Sequence, residues 1–392
     1  MKKIHIVVAT GEWENDGLRY RRHRLAEFLQ QQPDTKEVIW VCPSPIRKEV
    51  SAKTLPNGIG QWSIQDLLPN KMFRFGRYMD GFYRSKLFPF LSYIKKFQGQ
   101  YTINLWYTFP GFPLLSDLFS WDNVIYDCSD LWASPMNGKS SVVSTLRQNI
   151  IAKAENRIIQ RADTIFCTSE YLQDQIIEKT DSTQKVFTFE NGVEFNLFAS
   201  EHNHVENVLP ENFNGTVLGF IGGIKPKLDF ELIQQVARKK QEWLFLFVGP
   251  DGTNQDSDFK KLLTEQNVLW TGSVSPVEVP KYMNLIDIGI MPYKPSQYNQ
   301  AVFPLKLFEF LAAGKPVVGI NLPSTKKYAQ ESVYSYIENN QPSEFIRECE
   351  KLEGYKNQNH NMLIRKQVAK TRNWNDVFES MLQSIIFQKT LS

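Results

Sequence analysis

Along the chain, short and nearly continuous apolar runs alternate with longer stretches whose apolar residues recur at helical spacing. Ile4 to Ala9 is the first such run and ends at Thr10-Gly11. A polar loop, Glu12 to Gly17, follows it, and from about Leu18 the period changes, with Leu25, Phe28 and Leu29 on one helical face. Further runs of strand character lie at Ile39–Val41, Ile103–Trp106, Val124–Asp127, Thr164–Thr168 and Val186–Phe189. Strands separated by helices predict a parallel, doubly wound α/β sheet, and such sheets bind ligands at the carboxyl ends of their strands. Glu12, Trp13, Tyr107 and Asp130 each fall just beyond a predicted strand.

The stretch Phe195 to Gly215, rich in Asn, Glu and His, interrupts the alternation and reads as a linker. A second alternating series follows, with strands predicted at Val217–Ile221, Leu244–Val248, Leu269–Thr271, Ile288–Met291 and Val317–Ile320. A last amphipathic helix covers Trp374 to Phe387. At 392 residues the chain is too long for one core and suited to two domains.

The densest chemistry lies in Phe303 to Ile320. Pro304 suits a first helical turn; Leu305, Phe308, Leu311 and Ala312 make an apolar face; Gly314 and Pro316 stop the helix before a β-branched strand. Lys306 and Glu309 are three residues apart and share a helical face. A cation beside free backbone N–H groups suits a diphosphate, and a carboxylate one turn on can accept two bonds from a ribose diol. An ordinary surface Lys–Glu pair has the same spacing. The run Phe220 to Lys227 adds Gly222 and Gly223, which let the backbone approach a phosphate, with Lys225 or Lys227 as the companion charge. A tight strand-to-helix turn with solvated lysines is the other reading.

Pro304-Leu305-Lys306-Leu307-Phe308-Glu309 and the residues that follow to Val318 resemble the donor-binding signature of bacterial GT-B glycosyltransferases. The resemblance is strongest to the branch building surface polysaccharides of the teichuronic acid type. Glu190-Asn191-Gly192-Val193, Val248-Gly249-Pro250, Trp270-Thr271-Gly272 and Asp287 to Tyr293 match further landmarks of that family in the same order. The resemblance implies two Rossmann-like domains facing across a cleft. Residues 1–200 would bind the acceptor, 213–373 the nucleotide sugar, and 374–392 would form a helix returning to the first domain. It gives Lys306 to the diphosphate, Glu309 to the ribose, and Gly222, Gly223, Lys225, Tyr293, Pro304 and Leu307 to the same donor site. Ala301 stands where the retaining branch carries a second glutamate, and Gly223 where it carries an arginine. The first departure opens an inverting course.

Tyr126-Asp127-Cys128-Ser129-Asp130-Leu131-Trp132 resembles the Tyr-Asp-x-x-Asp-x-Trp of related transferases. Asp130, at a strand end, is a candidate base for the acceptor hydroxyl, and a helix-capping role is the competing reading. Glu12, Trp13 and Arg19 would hold the acceptor sugar.

Net charge of +3 gives no ground for a nucleic-acid partner, but its distribution is uneven. Between Lys71 and Phe97 stand Arg74, Arg77, Arg84, Lys95 and Lys96, among others, interleaved with aromatic residues and a single acid, Asp80. That composition suits an anionic membrane surface; a core-packed helix with a basic outer face or a nucleic-acid surface would share it. The Met1-Lys2-Lys3 start precedes an apolar run too short for a signal peptide, no run is long enough to span a membrane, and the four cysteines form no Cys-x-x-Cys pair. A cytoplasmic protein held peripherally at the inner face of the membrane is expected. Asp256-Ser257-Asp258 lies in a polar loop and reads as a cap, and His202 and His204 have no ligand-forming neighbours, so neither metal nor cofactor is expected.

The expectation is therefore a transferase moving a sugar from a nucleotide diphosphate, uridine diphosphate for choice, to a lipid-linked glycan. A sugar-nucleotide 2-epimerase of the same architecture and a non-catalytic partner in polysaccharide assembly are the alternatives.

Overall fold

A computed structural model describes residues 1–16, 19–44, 51–66, 78, 80–136, 138, 142–200, 208–253 and 255–391. The chain divides into two compact units. The first takes Met1–Pro135, Ser140–Glu190 and Phe378–Ser392; the second takes Met136–Lys139 and Asn191–Val377.

The first unit is built on one eight-stranded sheet of β1 (Lys3–Val8), β2 (Thr35–Ser44), β3 (Ser51–Thr54), β4 (Gly60–Gln65), β5 (Thr102–Tyr107), β6 (Asn123–Cys128), β7 (Thr164–Cys167) and β8 (Val186–Thr188). Their order is β3-β4-β2-β1-β5-β6-β7-β8, parallel except where β3 runs against β4. The central strands are buried on both faces, which is why they read as apolar runs rather than alternations. A polar ladder crosses them. Asn123 Nδ2 donates to Asn104 Oδ1, and His5 Nδ1 accepts from Trp106 Nε1 at 3.0 Å. Burial, with a smaller contribution from Lys3, lowers the His5 pKa to about 3, so its ring stays neutral.

The second sheet comprises β9 (Val217–Ile221), β10 (Leu244–Val248), β11 (Val268–Trp270), β12 (Ile288–Pro292), β13 (Val317–Ile320) and β14 (Tyr334–Ile337), in the order β11-β10-β9-β12-β13-β14 and parallel throughout. Close packing has shaped its glycines: a Cβ on Gly219 would lie 2.2 Å from Ile286, and one on Gly289 2.5 Å from Phe310. In each sheet the chain winds outward in one direction and then in the other. The switch points lie between β1 and β5 in the first and between β9 and β12 in the second. Crevices for ligands form at such points.

Of the stretch read as a linker, Phe195–Ala199 forms a short helix and residues 201–207, which include His202 and His204, lie outside the described residues. The last helix, Trp374–Leu391, begins in the second unit and ends in the first. In the first unit Arg21 fixes it. This buried guanidinium donates from Nε to both carboxylate oxygens of Asp127 (3.0 and 2.9 Å) and from Nη1 to the Glu190 carbonyl (3.2 Å). Its Nη2 is 3.1 Å from the Met381 sulfur, and its Cζ lies 5.8 Å from the Phe378 ring centre.

Candidate functional site

The helix Lys306–Ala312 is the second of two in the connection from β12 to β13. Leu307, Phe308, Phe310, Leu311 and Ala312 are all buried, a wider apolar face than the four positions expected from spacing. The side chains left at the surface are those of Lys306 and Glu309, 21% and 14% exposed. Pro304 lies outside the helix, one residue before the N-cap Leu305 rather than in the first turn, and is buried. Gly314, at φ +76°, ends the helix; its N–H reaches the Leu311 carbonyl at 2.9 Å, and the Lys315 N–H reaches that of Phe310 at 2.9 Å. The i,i+3 spacing is realised as contact: Lys306 Nζ stands 2.5 Å from Glu309 Oε2.

Gly222 completes the same locus. It follows β9 at φ +146°, its N–H bonds the Val248 carbonyl at 2.8 Å, and a Cβ there would stand 3.4 Å from Lys306 Cε. Gly249, after β10, is at φ +140°, and a Cβ on it would fall 2.0 Å from the Gly222 carbonyl oxygen. The Gly249 N–H in turn bonds the Gly272 carbonyl at 2.8 Å. The carboxyl ends of β9, β10 and β11 thus meet backbone to backbone, with the Lys306 stem beside them.

Lys225 and Lys227, equivalent in the sequence, diverge. Lys225 Cγ lies 3.6 Å from where a Cβ on Gly252 would stand, on the β10 side. Lys227 Nζ sits 5.0 Å from the Tyr293 ring centre and 5.8 Å from that of Tyr298, on the β12 side. Tyr293 is buried, and its carbonyl accepts from Asn321 Nδ2 at 2.8 Å. Asn340 ties this strand end to Asp229, whose other oxygen caps the helix Phe230–Lys239 through the Leu232 N–H at 3.0 Å. Gly223 is partly exposed behind Gly222, and Ala301 is fully buried at the end of the helix Gln297–Ala301. Of the further residues here, Tyr298, Asn321 and Asn340 carry no sequence signal for this site; Gly249 carries one, as part of the Val248-Gly249-Pro250 landmark.

In the first unit Asp127 and Asp130 have separate fates. Asp127 is buried and committed to Arg21. Asp130, three residues on, is partly exposed beyond β6; Ser129 Oγ lies 3.5 Å from its Oδ2, and its carbonyl accepts from the Trp132 N–H at 3.0 Å. Beyond β1, Ser63 Oγ donates to Glu12 Oε1 at 3.0 Å, the Trp13 N–H donates to Gln61 Oε1 at 3.0 Å, and Arg19 is ion-paired with Glu27. Burial, aided by Arg22, Arg19 and Arg24, lowers the pKa of neighbouring His23 to about 2.

The helix Asp80–Lys95 buries Tyr83, Leu87, Phe90 and Ile94 and exposes Arg84, Phe88 and Lys95, with Lys96 exposed just after it. Phe88 is 68% exposed. Arg74 and Arg77 lie outside the described residues. Asp256 caps the helix Ser257–Leu262, accepting from the Asp258 and Phe259 N–H groups at 2.8 and 3.3 Å. All four cysteines are buried free thiols. Among the described residues, no group of three His, Cys, Asp or Glu stands ready to hold a metal, and no helix is long and apolar enough to cross a membrane.

Residues 215–353 match the family described as Glycosyl transferases group 1. The chain is 54% identical over 388 residues to a Bacillus subtilis (strain 168) protein named as a teichuronic acid biosynthesis glycosyltransferase, TuaH, covering 98% of each. Among solved structures it is similar to sucrose-phosphate synthase from Thermosynechococcus elongatus (TM-score 0.74, 14% identity, 100% of both chains). It is also similar to Anabaena Alr3699/HepE in complex with UDP and glucose (TM-score 0.66, 12% identity, 97% of this chain and 98% of that one). The third, WaaG, a glycosyltransferase involved in lipopolysaccharide biosynthesis, has a TM-score of 0.66 at 12% identity over 96% of this chain and 98% of its own.

Proposed function

The chain belongs to the group 1 glycosyltransferases, with the GT-B fold, and from that premise we propose that it transfers a sugar from a uridine diphosphate donor to a lipid-linked teichuronic acid chain. The observation that carries the donor half is the meeting of Lys306 with Gly222 at the β9/β12 switch point, with Glu309 one turn further along the helix. Bare backbone and a cation suit a diphosphate; a partly shielded carboxylate suits the ribose diol. Lys227, held on the β12 side, is the second cation for the phosphates. The relative named for teichuronic acid biosynthesis supports the acceptor, and the neighbour solved with UDP supports the nucleotide.

In the first unit Asp130 takes the proton from the acceptor hydroxyl as that oxygen attacks the anomeric carbon, and the nucleoside diphosphate leaves. Asp127 is not available for this step, because it is locked to Arg21. With Ala301 in place of an acid, the reaction inverts the anomeric centre. Arg84, Phe88, Lys95 and Lys96 form a basic surface with one exposed aromatic, suited to the anionic cytoplasmic face of a membrane where a lipid-linked acceptor resides.

The test is incubation of the purified protein with a panel of sugar nucleotides and a lipid-linked acceptor extract. Transfer from one uridine diphosphate sugar is expected. Interconversion of free sugar nucleotides would make the protein an epimerase, and neither reaction would leave it a non-catalytic partner.

A further inference from the structure

The loop after β1 is held more firmly than a connecting loop needs to be. Trp40 Nε1 donates to the Gly11 carbonyl at 2.9 Å, and Gln61 accepts the Trp13 N–H. Gln61 Nε2 donates to Ser63 Oγ at 3.2 Å, which leaves the Ser63 proton for Glu12. The Trp13 ring meets His23 and Trp40 edge to face, each at 4.8 Å between centroids. Gln61 and Ser63 are 1% and 4% exposed, so this chain of hydrogen bonds is internal, whereas Glu12 and Trp13 are partly exposed. A buried polar network that ends on the backbone of a partly exposed tryptophan and on a partly exposed carboxylate is preorganised for a ligand. Indole against the C–H face of a sugar, with a carboxylate accepting from its hydroxyls, is the matching chemistry.

The sheet register says which sugar. Val8, Tyr107 and Tyr126 are aligned across β1, β5 and β6, and Glu12 and Asp130 each lie four residues beyond that row. Two strand spacings, about 10 Å, separate the ends of β1 and β6 from which the two loops leave. The Glu12–Trp13 loop is tied to β4, still further from Asp130. That separation exceeds one pyranose ring. We infer that Glu12 and Trp13 bind a sugar of the acceptor chain behind the one that reacts, with Gln61 and Ser63 as positioning residues, so that the enzyme elongates an existing glycan. The inference rests on the transferase reading above.

Teichuronic acid oligosaccharides of one to four sugars, size-fractionated, test it as acceptors. For the wild-type protein KM should fall at least about tenfold between one sugar and three. Trp13→Ala should erase that gain, raising KM for three sugars by more than it raises KM for one. Glu12→Gln, which keeps the loop's shape, should raise KM for the longer acceptors more than for the single sugar, as should Gln61→Ala, while Ser63→Thr should preserve the gain. A KM independent of length in the wild type, or a Trp13→Ala loss equal for one sugar and three, would overturn the inference. If the wild type transfers neither to them nor to the lipid-linked acceptor extract, the function is misread. Calorimetry on the same oligosaccharides then decides the subsite: binding of three sugars that Trp13→Ala abolishes supports it, and no binding refutes it.

Discussion

Lys306 is bound to Glu309, and on the proposed reading donor binding exchanges that contact for phosphate oxygens. With both side chains partly shielded, the pair falls at the upper end of the usual surface range, about 1 kcal/mol. A charge-assisted hydrogen bond to phosphate contributes roughly 1.5–3 kcal/mol. The net loss on Lys306→Ala is therefore about 0.5–2 kcal/mol, or roughly 2- to 30-fold in the Kd for uridine diphosphate. Glu309→Gln separates the two roles. It releases Lys306, so inorganic pyrophosphate should bind about fivefold more tightly, while uridine diphosphate, deprived of its ribose partner, should bind roughly 2- to 30-fold more weakly. Titration calorimetry of both variants with both ligands measures all four numbers. The Glu309→Gln effects must have opposite signs for the two ligands; losses on both would remove Glu309 from the ribose and the exchange from the mechanism.

Asp130→Asn should lower turnover by roughly 10²–10⁴-fold with donor affinity unchanged, and the product's anomeric configuration, read from proton coupling constants, should be opposite to the donor's. Near-normal turnover or retention would make Asp130 a loop brace. Replacing Arg84 and Lys95 by Glu should release the protein from anionic liposomes in sedimentation, and wild-type binding should weaken as salt rises; salt-independent binding would refute the electrostatic contact. The His5 pKa is about 3 in the folded chain against 6.5 in the unfolded one, so the unfolded state takes up a proton the folded state refuses. That stability is full above pH 6.5 and falls by about 1.4 kcal/mol per unit as pH drops toward 3. Urea unfolding of His5→Gln should show a shallower decline than wild type between pH 6.5 and 4.5, and equal slopes would place the sensitivity elsewhere.

The central strands were legible because burial on both faces makes them continuous apolar runs, which no other element of that length imitates. β4 and β14 were not, since Gln61, Ser63, Ser335 and Tyr336 give them the polar texture of a loop, and only pairing with β2 and β13 fixes them as strands. The Lys306–Glu309 contact is local and follows from helical spacing. Arg21–Asp127 spans 106 residues, and nothing in either neighbourhood announces the partner. The divergence of Lys225 and Lys227 was equally hidden, because it depends on which strand lies on each side of β9.

The handover of the final helix has a consequence for biosynthesis. Residues 378–391 leave the ribosome only after all of 191–377, yet they belong to the unit that the first residues begin. Until they emerge, the Arg21–Asp127 pair lacks the Phe378 ring and the Met381 sulfur on one side. The usual order, in which the amino-terminal domain folds first during synthesis, therefore cannot run to completion until this helix is supplied.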